Sequence, residues 1–274
     1  MTRKYQQTRG RKESFSDRLS TRIWFEKGDN ENPYIAKSCH CYGYDLLELI
    51  EKRSFIDVLY LIMRGELPSP NQAELLENLM IALINPGPRH PATRAAMYAG
   101  VGKTDPAQIL PISLSLLGGQ YLGAGSIESC IRFFRKTMKE DPRAIAHGVA
   151  SMSTQAPEGE GDWHPFPGFG TYYGGIDELS SQIVARLLTL PGAGPALSWG
   201  CALAEALRPH RLGWLTTGIA GAVFADLGFH PRAGAGLFQI FCAPGLLAHG
   251  LEVASKPITA MPFLSDSNYT IEEV

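Results

Sequence analysis

The chain has 274 residues, of which 45% are apolar and 19% are charged. This composition is typical of a globular protein and too apolar for a disordered one. The formal charge of −2 argues against the positive field of a general nucleic-acid binder. Five cysteines are too few for a disulfide framework, and reduced thiols are typical of a cytoplasmic protein.

Residues 1–20 form a basic segment that contains Arg3, Lys4, Arg9, Arg11, Lys12 and Arg18. No apolar stretch follows it, so we expect no secretory signal. A nucleic-acid or membrane arm is one interpretation, but a disordered or partner-wrapping terminus is the simpler one. We therefore predict a basic N-terminal arm over 1–20, with no nucleic acid and no membrane as partner.

After the arm, residues 21–26 alternate with β-forming side chains, Gly28-Asp29-Asn30 is a turn signal, and residues 34–36 can return. This pattern predicts one small β-hairpin. The rest of the pattern is helical, with a capping-box signature at Ser54 and Asp57 and a stop at Gly65. Further helices are predicted over 70–84, 91–100, 105–117, 126–139, 141–151, 177–190, 195–207, 214–227 and 233–254.

The uncharged stretch 233–251 is long enough to cross a membrane. Its proline, histidine and several glycines instead favour a helix buried inside the protein or at a subunit interface.

One long segment, 154–175, has no helical or strand period and is rich in glycine, proline and aromatic residues. Loops of this length in compact domains are usually functional or disordered. Glycines in its PGFG sequence would let a flat ligand approach the backbone. The ionisable residues within or just after the segment are Asp162, His164, Tyr172, Tyr173 and Asp177.

Two basic positions precede predicted helices. Arg89, His90 and Arg94 surround the start of one helix, where backbone N–H groups favour anions, so an anion site and a decorated surface turn are both open. Arg232 precedes a helix of small residues, and helix packing with a surface arginine is the better interpretation on spacing alone.

Metal ligation is not predicted. Cys39-His40-Cys41 resembles half of a zinc site, but a closed site needs four ligands. The remaining cysteines lie on separate apolar helices, and a buried thiol such as that of Cys242 behaves as a small hydrophobic group rather than as a nucleophile.

Five segments in chain order resemble the citrate synthase superfamily. They are Gly43-Tyr44-Asp45 followed by LLELI, Arg64-Gly65-Glu66-Leu67-Pro68, LGGQYLGAGSIE over 117–128, Pro167-Gly168-Phe169-Gly170, and LFQIFCAPGLLAHGLE over 237–252. In length the chain is closer to the compact citryl-CoA-lyase-like branch than to a full citrate synthase.

The resemblance implies an all-α, citrate synthase-like fold and a homodimer. A large helical domain would comprise 21–123 and 229–274, and a smaller inserted helical domain would comprise 124–228 and close over an acyl-CoA. Coenzyme A enters as the thioester substrate, an oxoacid is the possible second substrate, and no metal is implied. The residues expected to bind the coenzyme are Pro167, Gly168, Phe169, Gly170 and Arg232.

Most of the catalytic residues that the resemblance implies are replaced in this sequence. The resemblance aligns two catalytic histidines with Leu122 and Thr171, the catalytic carboxylate with Thr217, and the oxoacid-binding arginine with Cys242. His90 matches a histidine that survives. A leucine cannot move a proton and a threonine is too weak a base, so ordinary citrate synthesis is not expected.

Three hypotheses remain open. The first is an enzyme with a rebuilt site that forms or cleaves a carbon–carbon or thioester bond in an acyl-CoA. Its catalytic candidates are His90, Asp177, Asp162, His164 and Tyr172, and its substrate-binding candidates are Arg89, Arg94, Leu122, Thr171 and Thr217. The second is a catalytically inactive acyl-CoA-binding or regulatory homologue. The third is a helical scaffold that binds no nucleotide.

Overall fold

The structure is a computed structural model that describes residues 15–151 and 161–272. Most of the predicted basic arm and the part of the long loop over 154–160 lie outside these residues. The chain divides into two compact units, the first ending at Leu67 and the second beginning at Pro68.

Short strands and eleven α-helices make up the described chain. The strands are β1 (Trp24–Gly28), β2 (Ala36–Cys41), β3 (Tyr44–Asp45), β4 (Phe169–Gly170) and β5 (Gly213–Trp214). The helices are α1 (Leu46–Lys52), α2 (Phe55–Arg64), α3 (Pro70–Leu83), α4 (Pro91–Val101), α5 (Pro106–Leu117), α6 (Ile127–Thr137), α7 (Pro142–His147), α8 (Glu178–Leu187), α9 (Pro195–Leu207), α10 (Thr216–Asp226) and α11 (Pro231–Ala254). The predicted mostly helical class is confirmed.

The first unit contains an antiparallel sheet in the order β1-β2-β3. The predicted hairpin is present. The third strand, β3, was not predicted, because two residues are too few to show an alternating sequence pattern. Successive side chains of a strand point to opposite faces, so β2 places Cys39 and Cys41 on one face and His40 on the other. Cys41 is buried with Leu49 and Leu61.

The start and the end of α2 are those that the sequence predicts. The Ser54 hydroxyl accepts from the Asp57 backbone N–H, and the Asp57 carboxylate accepts from the Ser54 N–H. Gly65 ends the helix in the left-handed conformation at φ 79°, which glycine adopts without a steric penalty.

The second unit packs its helices around α10 and α11. Helix α11 contacts α4, α5 and α6, and α10 contacts α6 and α9. By length and composition α11 could cross a membrane, and 44% of its most apolar window is buried. Its buried side chains include Leu237, Phe241 and Leu246, which confirms the predicted buried helix.

A carboxylate on α10 fixes the start of α9. Helix α9 begins after Gly194, which offers no side-chain cap. The Asp226 carboxylate instead accepts from the backbone N–H groups of Ala196 at 2.7 Å and Leu197 at 3.0 Å. Burial raises the pKa of Asp226, although these hydrogen bonds oppose the change.

Candidate active-site cleft

A cleft in the second unit has a cavity volume of about 370 Å³. Its lining comes from the end of α3, the turn before α4, the segment after α5, the start of α8, the start of α10 and the middle of α11. The lining residues are Ala82, Leu83, Asn85, Pro86, Arg89, His90, Leu117, Leu122, Tyr172, Asp177, Leu179, Ser180, Ile183, Thr216, Phe238 and Cys242. Of the predicted site residues, the cleft brings together Arg89, His90, Leu122, Tyr172 and Asp177.

His90 is the residue at which α4 begins, and its ring is half-buried. The Ala92 backbone N–H donates to His90 Nδ1 at 3.1 Å, and His90 Nε2 lies 3.4 Å from the Leu122 carbonyl oxygen. Because Nδ1 accepts a hydrogen bond, the proton of the neutral ring is on Nε2. Burial lowers the pKa of His90, although the hydrogen bond to Leu122 opposes this change. The ring is therefore a neutral donor at neutral pH.

The turn that leads to His90 is anchored to α11 beside a proline inside that helix. Pro244 lies inside α11 and has no N–H to donate to the helix. The next residue, Gly245, donates its N–H to the Ile84 carbonyl oxygen at 2.9 Å. Asn85 adds a side-chain contact with His249, with Nδ2 and Nε2 3.2 Å apart. The turn before α4 and helix α11, which both line the cleft, are thus directly hydrogen-bonded to each other.

Leu122 takes an unusual backbone conformation opposite His90. Its φ is 50°, a left-handed value that is uncommon for residues other than glycine, asparagine and aspartate. The conformation directs its carbonyl oxygen to the His90 ring, while its side chain is 9% exposed and lines the cleft. The surface at position 122 is therefore hydrocarbon.

Asp177 and Tyr172 face the cleft from the segment before α8. The Asp177 carboxylate begins α8 by accepting from the Leu179 and Ser180 backbone N–H groups, and it also accepts from the Ser180 hydroxyl at 2.6 Å. Burial is the largest cause of a raised pKa at Tyr172, the nearby Asp177 charge adds to it, and Arg89 opposes it. The phenol therefore remains protonated at neutral pH.

Asp162 organises the loop beside the cleft. Its carboxylate accepts from the Tyr121 hydroxyl at 2.6 Å, the Thr171 hydroxyl at 3.1 Å and the Gly174 backbone N–H at 2.8 Å. Burial alone would raise the pKa of Asp162, but these hydrogen bonds outweigh it and lower the pKa. His164 stacks on Tyr121 with ring centroids 6.0 Å apart. Neither Thr171, which is bonded in this network, nor His164 is among the lining residues.

The two glycines of the PGFG segment, Gly168 and Gly170, lie in close contact with other parts of the protein. A Cβ on Gly168, whose φ is +84°, would meet Gly218 of α10, and one on Gly170 would meet His164. Phe169 is fully buried and pairs across the β4–β5 ladder with Trp214. Close backbone approach is thus explained by protein packing at both glycines, and the predicted contact with a coenzyme stays a prediction.

Three other predicted residues lie apart from the lining. Arg94 and Arg232 are exposed in the first turns of α4 and α11. Thr217 is only 2% exposed, and its hydroxyl bonds to the Cys130 thiol, whose pKa burial raises to about 12. The neighbouring Thr216 faces the cleft instead. Thr217 itself is therefore not part of the cleft surface, and its alignment with the family carboxylate stays a prediction.

The α11 side supplies apolar surface, of which Cys242 stands where the resemblance places the oxoacid-binding arginine and Phe238 was not predicted as part of the site. Phe238 and Cys242 lie one turn apart and are 3% and 2% exposed. Burial raises the pKa of the Cys242 thiol to about 12, so this group is neutral. Helical spacing places both on one face, and that spacing is the signal that could have identified Phe238.

Comparison with solved structures shows the same fold in enzymes of known activity. Citryl-CoA lyase from Hydrogenobacter thermophilus is 24% identical, with 93% of this chain and 96% of that chain covered and a TM-score of 0.73. ATP citrate lyase from Methanothrix soehngenii, in complex with citrate and coenzyme A, is 16% identical over 94% of this chain and 44% of that chain, with a TM-score of 0.68.

Citrate synthase from Thermoplasma acidophilum, in a ternary complex with carboxymethyl coenzyme A and oxaloacetate, is 17% identical over 81% of this chain and 58% of that chain, with a TM-score of 0.58. No family model and no curated protein matches the sequence. At these identities the likeness establishes the fold alone. The resemblance inferred from the sequence is confirmed at that level: the chain has the citrate synthase fold, over nearly the full length of a citryl-CoA lyase.

Proposed function

We propose that the chain is an acyl-CoA carbon–carbon lyase of the citrate synthase superfamily with a non-standard active site. The observation that carries the proposal is the neutral imidazole of His90, which lines a cleft that also holds Arg89, Tyr172 and Asp177. Its Nε2–H contacts the Leu122 carbonyl at 3.4 Å, a long hydrogen bond that a bound thioester oxygen would replace. The fold supports it, because solved proteins of this fold include a citryl-CoA lyase and complexes with coenzyme A.

The proposed step is the cleavage of a β-hydroxyacyl-CoA. A base removes the hydroxyl proton, the Cα–Cβ bond breaks, and its electron pair forms the enolate of the thioester while the hydroxyl oxygen becomes a carbonyl. His90 Nε2–H donates to the enolate oxygen. Protonation at Cα then gives a shorter acyl-CoA and a carbonyl compound, so no oxidant or reductant is needed. The reverse sequence forms the bond.

We assign the roles of proton acceptor and proton donor from the ionisation states of Asp177 and Tyr172. Asp177 is the carboxylate in the cleft and is assigned as the acceptor of the hydroxyl proton. Tyr172 keeps its proton, because its pKa is raised, and is assigned as the donor to Cα. His164 remains an alternative base that would need the loop to move, since its Nε2 is bonded to the Thr171 carbonyl at 3.0 Å.

The remaining assignments rest on the resemblance. The coenzyme would contact Pro167–Gly170 and Arg232, and a small domain over 124–228 would close on a large one. A homodimer is proposed on the same ground, and a cytoplasmic location on the five free cysteines.

An inactive acyl-CoA-binding protein is the second candidate. It is favoured by the hydrocarbon of Leu122 and the neutral thiol of Cys242 in the lining, at positions where the resemblance places a histidine and an arginine. Neither group carries a charge that could pair with an anion, and Leu122 has no proton to transfer.

One experiment separates the two candidates. The full chain is incubated with citryl-CoA and with saturated 3-hydroxyacyl-CoA thioesters, and the thioesters are followed by chromatography with mass detection. Parallel calorimetric titration measures CoA binding. A shortened acyl-CoA supports the lyase. Binding without any product rejects the lyase and supports the inactive binder, and failure to bind CoA rejects both.

A further inference from the structure

The cleft has a floor of five buried side chains and carries little charge. The floor consists of Leu83, Leu117, Leu122, Phe238 and Cys242, each no more than 9% exposed. None of these side chains offers an ionised group, since the Cys242 thiol has its pKa raised to about 12 by burial. A ligand group that reaches the floor must leave water and meets hydrocarbon and sulfur only.

Two polar side chains of the cleft, those of Asn85 and Ser180, are engaged within the protein. The Asn85 carbonyl accepts from Gly87 N–H, and its amide contacts His249. The Ser180 hydroxyl donates to Asp177. These groups are therefore not free to bind several carboxylates.

Cationic charge in the lining is limited to one side chain. Arg89 is the single Lys or Arg among the described lining residues, it is exposed at the rim, and it forms no ion pair within the described chain. His90 is neutral and donates one hydrogen bond. A bound dicarboxylate or tricarboxylate would bring at least one carboxylate that no cation among the described lining residues pairs, and such burial is costly.

We propose that the substrate is an aliphatic β-hydroxyacyl-CoA with at most one carboxylate, whose hydrocarbon chain covers the floor while any carboxylate pairs with Arg89. This inference rests on the proposed function and specifies its substrate class. Such a cleft differs from one that binds a polycarboxylate, because burial of a hydrocarbon chain against the floor favours binding and burial of a charged group opposes it.

Calorimetric titration of the full chain tests the substrate class. The probes are CoA, citryl-CoA, and 3-hydroxybutyryl-, 3-hydroxyhexanoyl- and 3-hydroxyoctanoyl-CoA. We expect the Kd to fall by about fourfold for each methylene until the floor is covered. Citryl-CoA should bind no more tightly than CoA.

Two variants change the floor at a single position. Cys242→Arg places a cation there and should remove the preference for longer chains while strengthening citryl-CoA binding. Cys242→Met adds comparable length without charge and should keep the preference for the hydrocarbon chains. If Cys242→Arg does not fold, the wild-type chain-length series still decides.

Each outcome has a defined meaning. CoA binding with no gain from the hydrocarbon chain, or tighter binding of citryl-CoA than of 3-hydroxyhexanoyl-CoA, overturns the substrate class and leaves the lyase proposal standing. Absence of binding by CoA and by every thioester overturns both.

Discussion

Replacement of His90 offers a decisive test, because its ring has two separable tasks. Nδ1 accepts from the Ala92 N–H to begin α4, while Nε2–H faces Leu122 O and the cleft. Loss of a helix-capping acceptor costs about 1 kcal/mol of unfolding free energy. Loss of a donor to a developing oxyanion lowers kcat by about 10²–10³-fold, equivalent to about 2.7–4 kcal/mol. His90→Ala should show both losses, in urea unfolding and in thioester cleavage followed by chromatography.

The chain provides a matched control in His230. This residue begins α11 as His90 begins α4, with Nδ1 accepting from the Arg232 N–H at 3.3 Å and a proline next in sequence, but it does not line the cleft. His230→Ala should therefore lose stability and retain kcat. His90→Asn should recover stability, since asparagine caps helices well, without recovering kcat. Equal kcat values in His90→Ala and the wild type would refute the assignment of Nε2–H as the donor.

Three further predictions concern pH and packing. Burial lowers the pKa of His90 from 6.5, so kcat/KM should rise with pH through a value below 6.5 and stay level until Tyr172 ionises above pH 10. Stability should fall as pH drops below 6.5, because the unfolded chain then binds the proton more tightly. A pH-rate profile and urea unfolding check both, and a further limb between pH 6.5 and 10 would contradict the assignment. Gly168→Ala should lower the free energy of unfolding in urea by about 2–4 kcal/mol, because its left-handed φ and its contact with Gly218 both oppose a Cβ. Gly236→Ala has open space at the Cβ position inside α11 and should raise that free energy by about 0.5–1 kcal/mol. A change of the same sign in both variants would contradict this reasoning. Asp226→Ala should cost about 2 kcal/mol through the lost cap of α9, and Asp226→Asn, which keeps one acceptor, should cost less in the same assay.

Local signals explain why the helices were predictable. The reciprocal cap of Ser54 and Asp57 and the left-handed stop at Gly65 are set by near neighbours, and sequence spacing reveals them directly. The β4–β5 ladder was not predicted, because it joins Phe169 to Trp214 across a long stretch of chain. Residues 214–215 were instead predicted to be helical.

The site was predictable only in part, for a related reason. His90 stood out through its place before a helix, and Asp177 through its place just after the PGFG loop. Thr216 was missed because α10 is apolar on all sides, with Thr217 and its neighbours buried, so no polar face distinguishes adjacent threonines. Leu122 was among the predicted residues through its side chain, but the contact of its carbonyl with His90 is tertiary and leaves no local signal.

The bond between α11 and the turn before α4 has a mechanical consequence. The Gly245 N–H, one residue after Pro244, donates to the Ile84 carbonyl, a few residues before His90, and Cys242 lies two residues before the proline. Any bending of α11 about Pro244 would displace His90 and the hydrocarbon base of the cavity together. Replacing Pro244 by alanine is therefore expected to alter thioester cleavage and chain-length selection in concert, although no residue that lines the cleft would have changed.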